Sequence, residues 1–188
     1  CLVDINPLAC VAARTNIVLM LASALQRDRH ADVLLPVHNA DSLRPTQVLP
    51  ADVLVTNPPW VGWEYIARPY RDALEPAWAT YDLFTAKGRN ASFLKEDLST
   101  LALVSAWDRY LVEGGRSVVV LRANAMVSTL AGQGLRRLSL FQDRSPMGLD
   151  KIRLFAGMRV FPDISVETAT WSLIKGTPTR FPVPVCAM

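Results

Sequence analysis

Several features that would place this chain in a common class of protein are missing from its sequence. It has only three cysteines, which form neither a C-x-x-C pair nor a metal-ligand spacing: Cys1, Cys10 and Cys186. An odd number of cysteines without a framework favours a reducing compartment, so we expect a cytoplasmic protein. The two histidines, His30 and His38, stand apart from any partners at metal-ligand spacing, and no metal site is predicted.

Long hydrophobic runs, internal repeats and low-complexity tracts are also absent. The longest apolar run, residues 17–25, is interrupted by Ser23 and is too short to cross a bilayer, so no membrane partner is expected. Charge of one sign does not dominate either, because Lys and Arg number 20 against 17 Asp and Glu. So small a basic excess permits an anionic partner but does not diagnose nucleic-acid binding.

What the sequence does contain is an alternation of strand and helix patterns, in a length typical of one domain. Hydrophobic residues make up 51% of the chain and charged residues 20%, as in folded globular proteins. Strand patterns occupy residues 2–5, 33–37, 53–55, 117–121, 152–155 and 166–174. Helical patterns occupy residues 8–25, after Asn6 as a cap and Pro7, residues 97–112, with Asp97 as the cap, and residues 128–140. This alternation predicts an α/β fold with a parallel, doubly wound sheet.

Polar residues follow three of the predicted strands. Asp4, Asp41 and Asn57 each come just after a strand, and ligands of such sheets bind beyond the carboxyl ends, so we expect one shared rim. Asp4 could accept hydrogen bonds from ribose hydroxyls with Ile5 covering an adenine ring, or it could simply begin the cap of the next helix. Asp41 could accept from the adenine amine, or form an Asx-turn before Pro45.

The stretch Asn57-Pro58-Pro59-Trp60 ends its strand with two residues that cannot donate a backbone hydrogen bond. Two prolines fix two φ angles, so the Pro58 carbonyl can point outward beside the side-chain oxygen of Asn57. These two acceptors match the two hydrogens of an amino group, and Trp60 offers a flat face on which a ring can stack. The alternative is that the prolines only end the strand and the indole packs in the core.

Three stretches, "VDINPLA", "HNADSL" and "DVLVTNPPW", in this order and spacing, resemble the amino-group DNA methyltransferases, especially the adenine-specific type of restriction–modification systems. "DLSTLALVSAWDRYLVEGGRSVVVLRANAM" is similar to the helix–Gly-Gly–strand segment that follows their catalytic motif, and "VFPDISVETATWSLIKG" to their closing strand pair. The resemblance covers most of residues 1–176. It implies a Rossmann-like methyltransferase sheet, mostly parallel with an antiparallel closing strand, and leaves residues 177–188 as a tail or linker.

The resemblance implies S-adenosylmethionine as the methyl donor. It places Asp4 on the ribose, Ile5 and Asp41 on the adenine with Ser42 beside them, and Leu98 as a wall of the pocket, and it counts Asn57 among the residues that bind the cofactor. It further implies that Asn57 and the Pro58 carbonyl bind the amine of an adenine flipped out of double-stranded DNA. The residues assigned to catalysis are thus Asn57, Pro58, Pro59 and Trp60.

Residues 61–95 mix aromatic and basic side chains, and long connections of this kind are usually functional. They could shape the nucleotide pocket and meet DNA phosphates, or form a lid that is packed by its own aromatics with its charges in solvent. The candidates for the DNA contact are Trp63, Arg68, Arg71, Lys87 and Arg89.

One departure from the family is clear. The glycine-rich loop that follows the family's first strand has no counterpart, because no glycine precedes Gly62. We therefore expect a chain that lacks the first strand and is inactive, or weakly cofactor-binding, when isolated. A restriction or specificity subunit or domain could be its partner. RNA or a protein glutamine is an alternative substrate, since the Asn-Pro-Pro-aromatic tetrapeptide is shared with such methyltransferases, and a non-catalytic nucleotide-binding or subunit-docking module is the third possibility.

Overall fold

The computed structural model describes the chain in seven stretches: residues 1–27, 32–45, 48–84, 96–126, 132–140, 145–161 and 166–188. These residues form two compact units, Cys1–Leu49 and Pro50–Met188. Each unit has a sheet of its own, with two strands in the first and six in the second.

The first unit is a strand–helix–strand arrangement: β1 (Leu2–Asp4), α1 (Pro7–Arg27) and β2 (Val37–Asn39). The two strands are parallel, with Asp4 opposite Asn39. The helix starts as predicted, because the Asn6 side chain accepts a hydrogen bond from the Leu8 amide at 2.9 Å. The second strand begins later than the sequence pattern indicates, since Pro36 has no amide hydrogen to donate to a ladder.

Helix α1 exposes most of its apolar side chains. Among its residues only Cys10 is buried, whereas Met20 is 82% exposed. By length and composition this helix could cross a membrane, although core helices and signal sequences meet the same criterion. An uninterrupted apolar run ends at the first polar residue. A long apolar helix can nevertheless contain scattered Ser, Thr and Asn residues, so counting runs does not detect it.

The second unit contains the remaining elements. Its strands are β3 (Ala51–Thr56), β4 (Leu111–Arg122), β5 (Ser139–Leu140), β6 (Ser145–Phe155), β7 (Thr168–Lys175) and β8 (Val185–Ala187). Its α-helices are α2 (Arg68–Thr80), α3 (Leu98–Tyr110) and α4 (Gln133–Arg136), and 3-10 helices span Trp63–Tyr65 and Ala123–Met126. In the described part of the helix predicted over residues 128–140, only α4 is helical, and Ser139–Leu140 form β5 instead. The strand order is β3-β4-β7-β6-β5, with β8 paired to β6.

The larger sheet is mixed, whereas the resemblance implied a mostly parallel sheet with an antiparallel closing strand. Strand β3 runs parallel to β4, and β8 runs parallel to β6. Strand β7 is antiparallel to both β4 and β6, and β5 is antiparallel to β6. Strands β6 and β7 follow one another in the chain and pair antiparallel, so the chain reverses its direction between them.

Residues 177–188 differ from the expected tail or linker. The Thr179 hydroxyl donates to the Met147 carbonyl at 3.1 Å and accepts from the Leu149 amide at 2.9 Å. Beyond it, β8 adds a strand beside Ile152–Leu154 of β6. This strand pairing could not be predicted from the proline-rich sequence, because only three residues, Val185 to Ala187, form the strand.

The core of the second unit lies where α3 packs against the sheet. The Trp107 indole is buried and donates to the Ser117 hydroxyl of β4 at 3.0 Å. The buried Lys175 ammonium donates to the carbonyls of Trp107 and Leu111, at 2.8 Å each, and so satisfies the carboxyl end of α3. This contact ties α3 to β7 and fixes the direction in which the helix presents its amino end.

Candidate functional site

Residues Asn57 to Trp60 directly follow the carboxyl end of β3. Asn57 and Pro59 are exposed, Pro58 is buried and Trp60 is half-buried. Among the described residues, no group donates a hydrogen bond to the Asn57 side-chain oxygen or to the Pro58 carbonyl. Two acceptors therefore remain available within three residues of an aromatic ring.

The Trp60 side chain is held from two directions. Its ring meets Phe161 edge to face, with the centroids 5.7 Å apart and the planes at 84°. The Arg122 guanidinium carbon lies 6.0 Å from the ring centroid, at the outer limit of a cation–π contact. The indole Nε1 is buried without a described hydrogen-bond partner. Trp60 is thus neither a core residue nor a free surface side chain.

Arg122 is the last residue of β4, the parallel neighbour of β3. Because Thr56 pairs with Val119, the two strands end on the same rim of the sheet. Arg122 Nη2 donates to the Trp60 carbonyl at 3.1 Å and lies 3.2 Å from Asp97 Oδ2. The sequence analysis missed this residue, although it stands directly after the strong strand pattern of residues 117–121.

Asp97 joins the rim to the start of α3. Its Oδ1 accepts a hydrogen bond from the Ser99 amide at 2.9 Å, which caps the helix. Its Oδ2 faces Arg122, so one carboxylate serves the helix and the strand end together.

The chain that follows Trp60 is fastened to the same place. The Val61 carbonyl accepts from the Leu98 amide at 2.8 Å, and the Trp63 amide donates to the Glu96 carbonyl at 2.7 Å. Leu98, the expected pocket wall, is buried. The backbone pairing therefore holds the segment after the motif against the amino end of α3.

The candidate DNA contacts occupy different surroundings. Trp63 is only 7% exposed and packs against Trp78 and Phe84, with centroids 5.2 and 5.5 Å away, as a lid packed by its own aromatics would. Arg68 is exposed and lies 3.7 Å from Asp72, one turn further along α2. Arg71 is half-buried, and Lys87 and Arg89 lie outside the described residues.

In the first unit, Asp4 and Asp41 lie at the ends of two paired parallel strands. Asp4 Oδ1 accepts from the Asn6 amide at 2.7 Å. Asp41 Oδ1 accepts from the Leu43 amide at 2.9 Å, which forms an Asx-turn. Both local turns that the sequence analysis offered as alternatives are present, and each uses one carboxylate oxygen. Of their neighbours, Ile5 is 68% exposed and Ser42 is exposed.

Metal-binding residue types do not gather in the part of the chain that the structure describes. No three side chains of His, Cys, Asp or Glu there could hold an ion together.

No protein-family model and no curated protein sequence matches this chain. Solved structures do match. A protein from Listeria monocytogenes, assigned to the class I S-adenosylmethionine-dependent methyltransferases, gives a TM-score of 0.63 at 15% sequence identity. That match covers 99% of this chain and 48% of the Listeria protein. At this identity the likeness shows the fold alone.

Weaker matches include two restriction–modification proteins. The methyltransferase subunit of a type I restriction–modification system from Streptococcus thermophilus gives a TM-score of 0.46 at 20% identity, covering 75% of this chain and 28% of that subunit. A protein from Vibrio vulnificus, assigned as a modification subunit of a type I restriction enzyme, gives 0.47 at 16%, covering 76% and 28%. This chain thus spans less than half the length of each of these structures.

Proposed function

We propose that this chain is part of the catalytic domain of an S-adenosylmethionine-dependent methyltransferase that methylates the exocyclic amine of an adenine flipped out of double-stranded DNA. One observation carries the proposal. The Asn57 side-chain oxygen and the Pro58 carbonyl have no described donors, and they come three and two residues before the half-buried Trp60 at a strand end. An exocyclic amine has two hydrogens, one for each acceptor.

These two acceptors would also prepare the amine nitrogen for reaction. An amine on an aromatic ring is a weak nucleophile because its lone pair is delocalised into the ring. Hydrogen bonds to Asn57 Oδ1 and to the Pro58 carbonyl draw both hydrogens to one side and oppose that delocalisation. With a sulfonium methyl donor bound, the nitrogen would form its bond to the methyl carbon as the carbon–sulfur bond breaks and the thioether leaves, and the amine would give up one proton to water. This direct transfer requires no covalent enzyme intermediate and no cysteine.

Trp60 would hold the base that carries the amine. Extruding a base from the duplex costs a few kcal/mol, and stacking on an aromatic side chain returns about 1–3 kcal/mol. Because Pro58 and Pro59 each fix one backbone φ angle before Trp60, the backbone that carries the two acceptors and the ring is stiff. The stacked base would therefore arrive with its amine at the acceptors.

Residues of the first unit fit the nucleoside part of the cofactor. Asp4 Oδ2 has no described donor, and a carboxylate oxygen of this kind suits ribose hydroxyls. The exposed Ile5 suits the face of an adenine ring, and Asp41 with Ser42 suits its edge. When bound, S-adenosylmethionine supplies an electrophilic methyl group on a sulfonium.

Helix α2 would form part of the contact with DNA. Arg68 is exposed in the first turn of this helix, and its ion pair with Asp72 is a surface pair that a phosphate can replace at little cost. Arg71 lies three residues further along the same helix. We assign target recognition to a specificity subunit or domain, because no such region is evident among these 188 residues.

The substrate class can be tested with the protein that carries this chain and with radiolabelled S-adenosylmethionine. We offer it unmethylated genomic DNA, structured RNA and a glutamine-containing protein fraction, and identify the product by mass spectrometry. The expected result is N6-methyladenine in DNA. The Asn57→Ala variant should lose roughly 100-fold or more in rate, as enzymes do on losing one pre-organised hydrogen bond, while keeping its cofactor affinity.

Asn16→Ala is the matched control, because Asn16 is an exposed asparagine on α1. This variant should methylate at the wild-type rate. Label in RNA or protein would reassign the substrate, and unchanged turnover of Asn57→Ala would remove Asn57 from the mechanism.

A further inference from the structure

We propose that Arg122 is a positioning residue for the methyl-transfer site, which it serves by fixing Trp60 and thereby the place at which the flipped base stacks. The inference rests on the proposed function. It assigns a role to a side chain that touches neither the amine nor the cofactor.

The first argument is that one guanidinium holds both the backbone and the ring of Trp60. Nη2 of Arg122 donates to the Trp60 carbonyl at 3.1 Å. The guanidinium carbon of Arg122 lies 6.0 Å from the indole centroid. The hydrogen bond fixes where the residue is, and the contact with the ring restricts how the side chain is turned.

The second argument is that Arg122 is itself held. Asp97 Oδ2 lies 3.2 Å from its Nη2, and only 18% of the Asp97 side chain is exposed. Asp97 cannot move freely, because its other oxygen caps α3 through Ser99. The Arg122 Nε is buried as well, although 40% of the whole Arg122 side chain is exposed.

The third argument concerns what would hold Trp60 without Arg122. The indole Nε1 has no described hydrogen-bond partner, and the edge of Phe161 is a weak and non-directional support. Two prolines make the segment before Trp60 stiff, so a displaced Trp60 carbonyl would carry the neighbouring acceptors with it. Small displacements matter here, since an error of about 1 Å can cost roughly 100-fold in rate.

Lysine cannot take over this role, although it preserves the charge. An ammonium is a point charge, whereas the planar guanidinium donates to the carbonyl and lies over the indole at the same time. We therefore compare Arg122→Lys and Arg122→Gln in the protein that carries this chain. The control pair is Arg116→Lys and Arg116→Gln, at an exposed arginine on the same strand.

Both Arg122 variants should bind the cofactor as the wild type does and lose on the order of 10- to 100-fold in kcat. The KM for DNA should change much less, and the Arg116 pair should behave as wild type. In a Trp60→Ala background, Arg122→Gln should cause no further loss, because nothing is left for Arg122 to position. Unchanged kcat in Arg122→Gln, or equal losses in both backgrounds, would overturn the proposal.

A spectroscopic measurement separates this inference from the proposed function. The Trp60 fluorescence is obtained as the difference between each protein and its Trp60→Phe counterpart. Arg122→Lys and Arg122→Gln should make that signal more accessible to acrylamide, and identical quenching would overturn the positioning role even if methylation is observed. If the wild type methylates nothing, the proposed function fails, and the quenching result decides by itself whether Arg122 fixes Trp60.

Discussion

At the scale of single residues, the chain combines stiff backbone with polar groups that are held in place. Pro58 is buried and Asn57 is exposed, so the turn is anchored on one side and open on the other. Arg122 connects the carbonyl of Trp60 to Asp97. Such pre-organisation costs entropy during folding and spares it during binding, which would suit the proposed binding of a small planar group.

A second residue with a well-defined environment is Tyr81. It is buried after α2, and its hydroxyl donates to Asp108 Oδ2 at 2.7 Å. Burial, followed by this hydrogen bond and the charge of Asp108, raises the pKa of Tyr81 from 10.0 to about 12. The neutral phenol is therefore favoured by folding.

This pKa predicts how stability depends on pH. The contribution of Tyr81 is fully present below pH 10, the pKa of an unfolded tyrosine, and is lost as the pH rises toward 12. A shift of this size corresponds to about 2–3 kcal/mol. Denaturant unfolding of wild type and Tyr81→Phe should give a free-energy difference that is constant below pH 10 and shrinks above it.

Tyr65→Phe is the control, because Tyr65 is 80% exposed and gains little from folding. A difference for Tyr81→Phe that stays constant from pH 9 to 12 would show that the phenol is not held as described.

At the scale of elements, sequence patterns predicted well where one physical cause dominates. The α1 start followed from an asparagine cap before a proline, and β3 and β4 followed from runs of β-branched residues. The Asp97 cap of α3 was predictable from the sequence for the same reason. Each of these signals is local, so no partner strand is needed to interpret it.

Prediction was wrong or incomplete where long-range pairing decides the outcome. The larger sheet has more antiparallel pairs than the one antiparallel closing strand that the resemblance implied, and these pairs depend on strand neighbours that are distant in sequence. The pairing of β8 with β6 is carried by three residues after a proline-rich stretch. Arg122 was overlooked for a related reason: its contact with Trp60 spans 62 residues, and no local pattern announces it.

At the scale of the whole molecule, the chain lacks a glycine-rich loop in its first 61 residues. Such a loop lets the backbone approach a nucleotide cofactor closely, and here Asp4 and its neighbours would have to bind without it. We expect the isolated 188-residue chain to bind S-adenosylmethionine weakly or not at all. Isothermal titration calorimetry tests this, and micromolar affinity for the isolated chain would refute it.

The central claim is that the end of β3 recognises an amino group, and a binding cycle tests it most directly. Wild type and Asn57→Ala are each titrated with two target DNAs, one with adenine at the flipped position and one with purine, which lacks the amine. The cost of flipping a given base is the same for both proteins, so it cancels when the two proteins are compared. Losing one hydrogen bond should reduce the preference of Asn57→Ala for adenine by about 1 kcal/mol, roughly fivefold in affinity. An adenine-to-purine affinity ratio that is the same in both proteins would contradict the account.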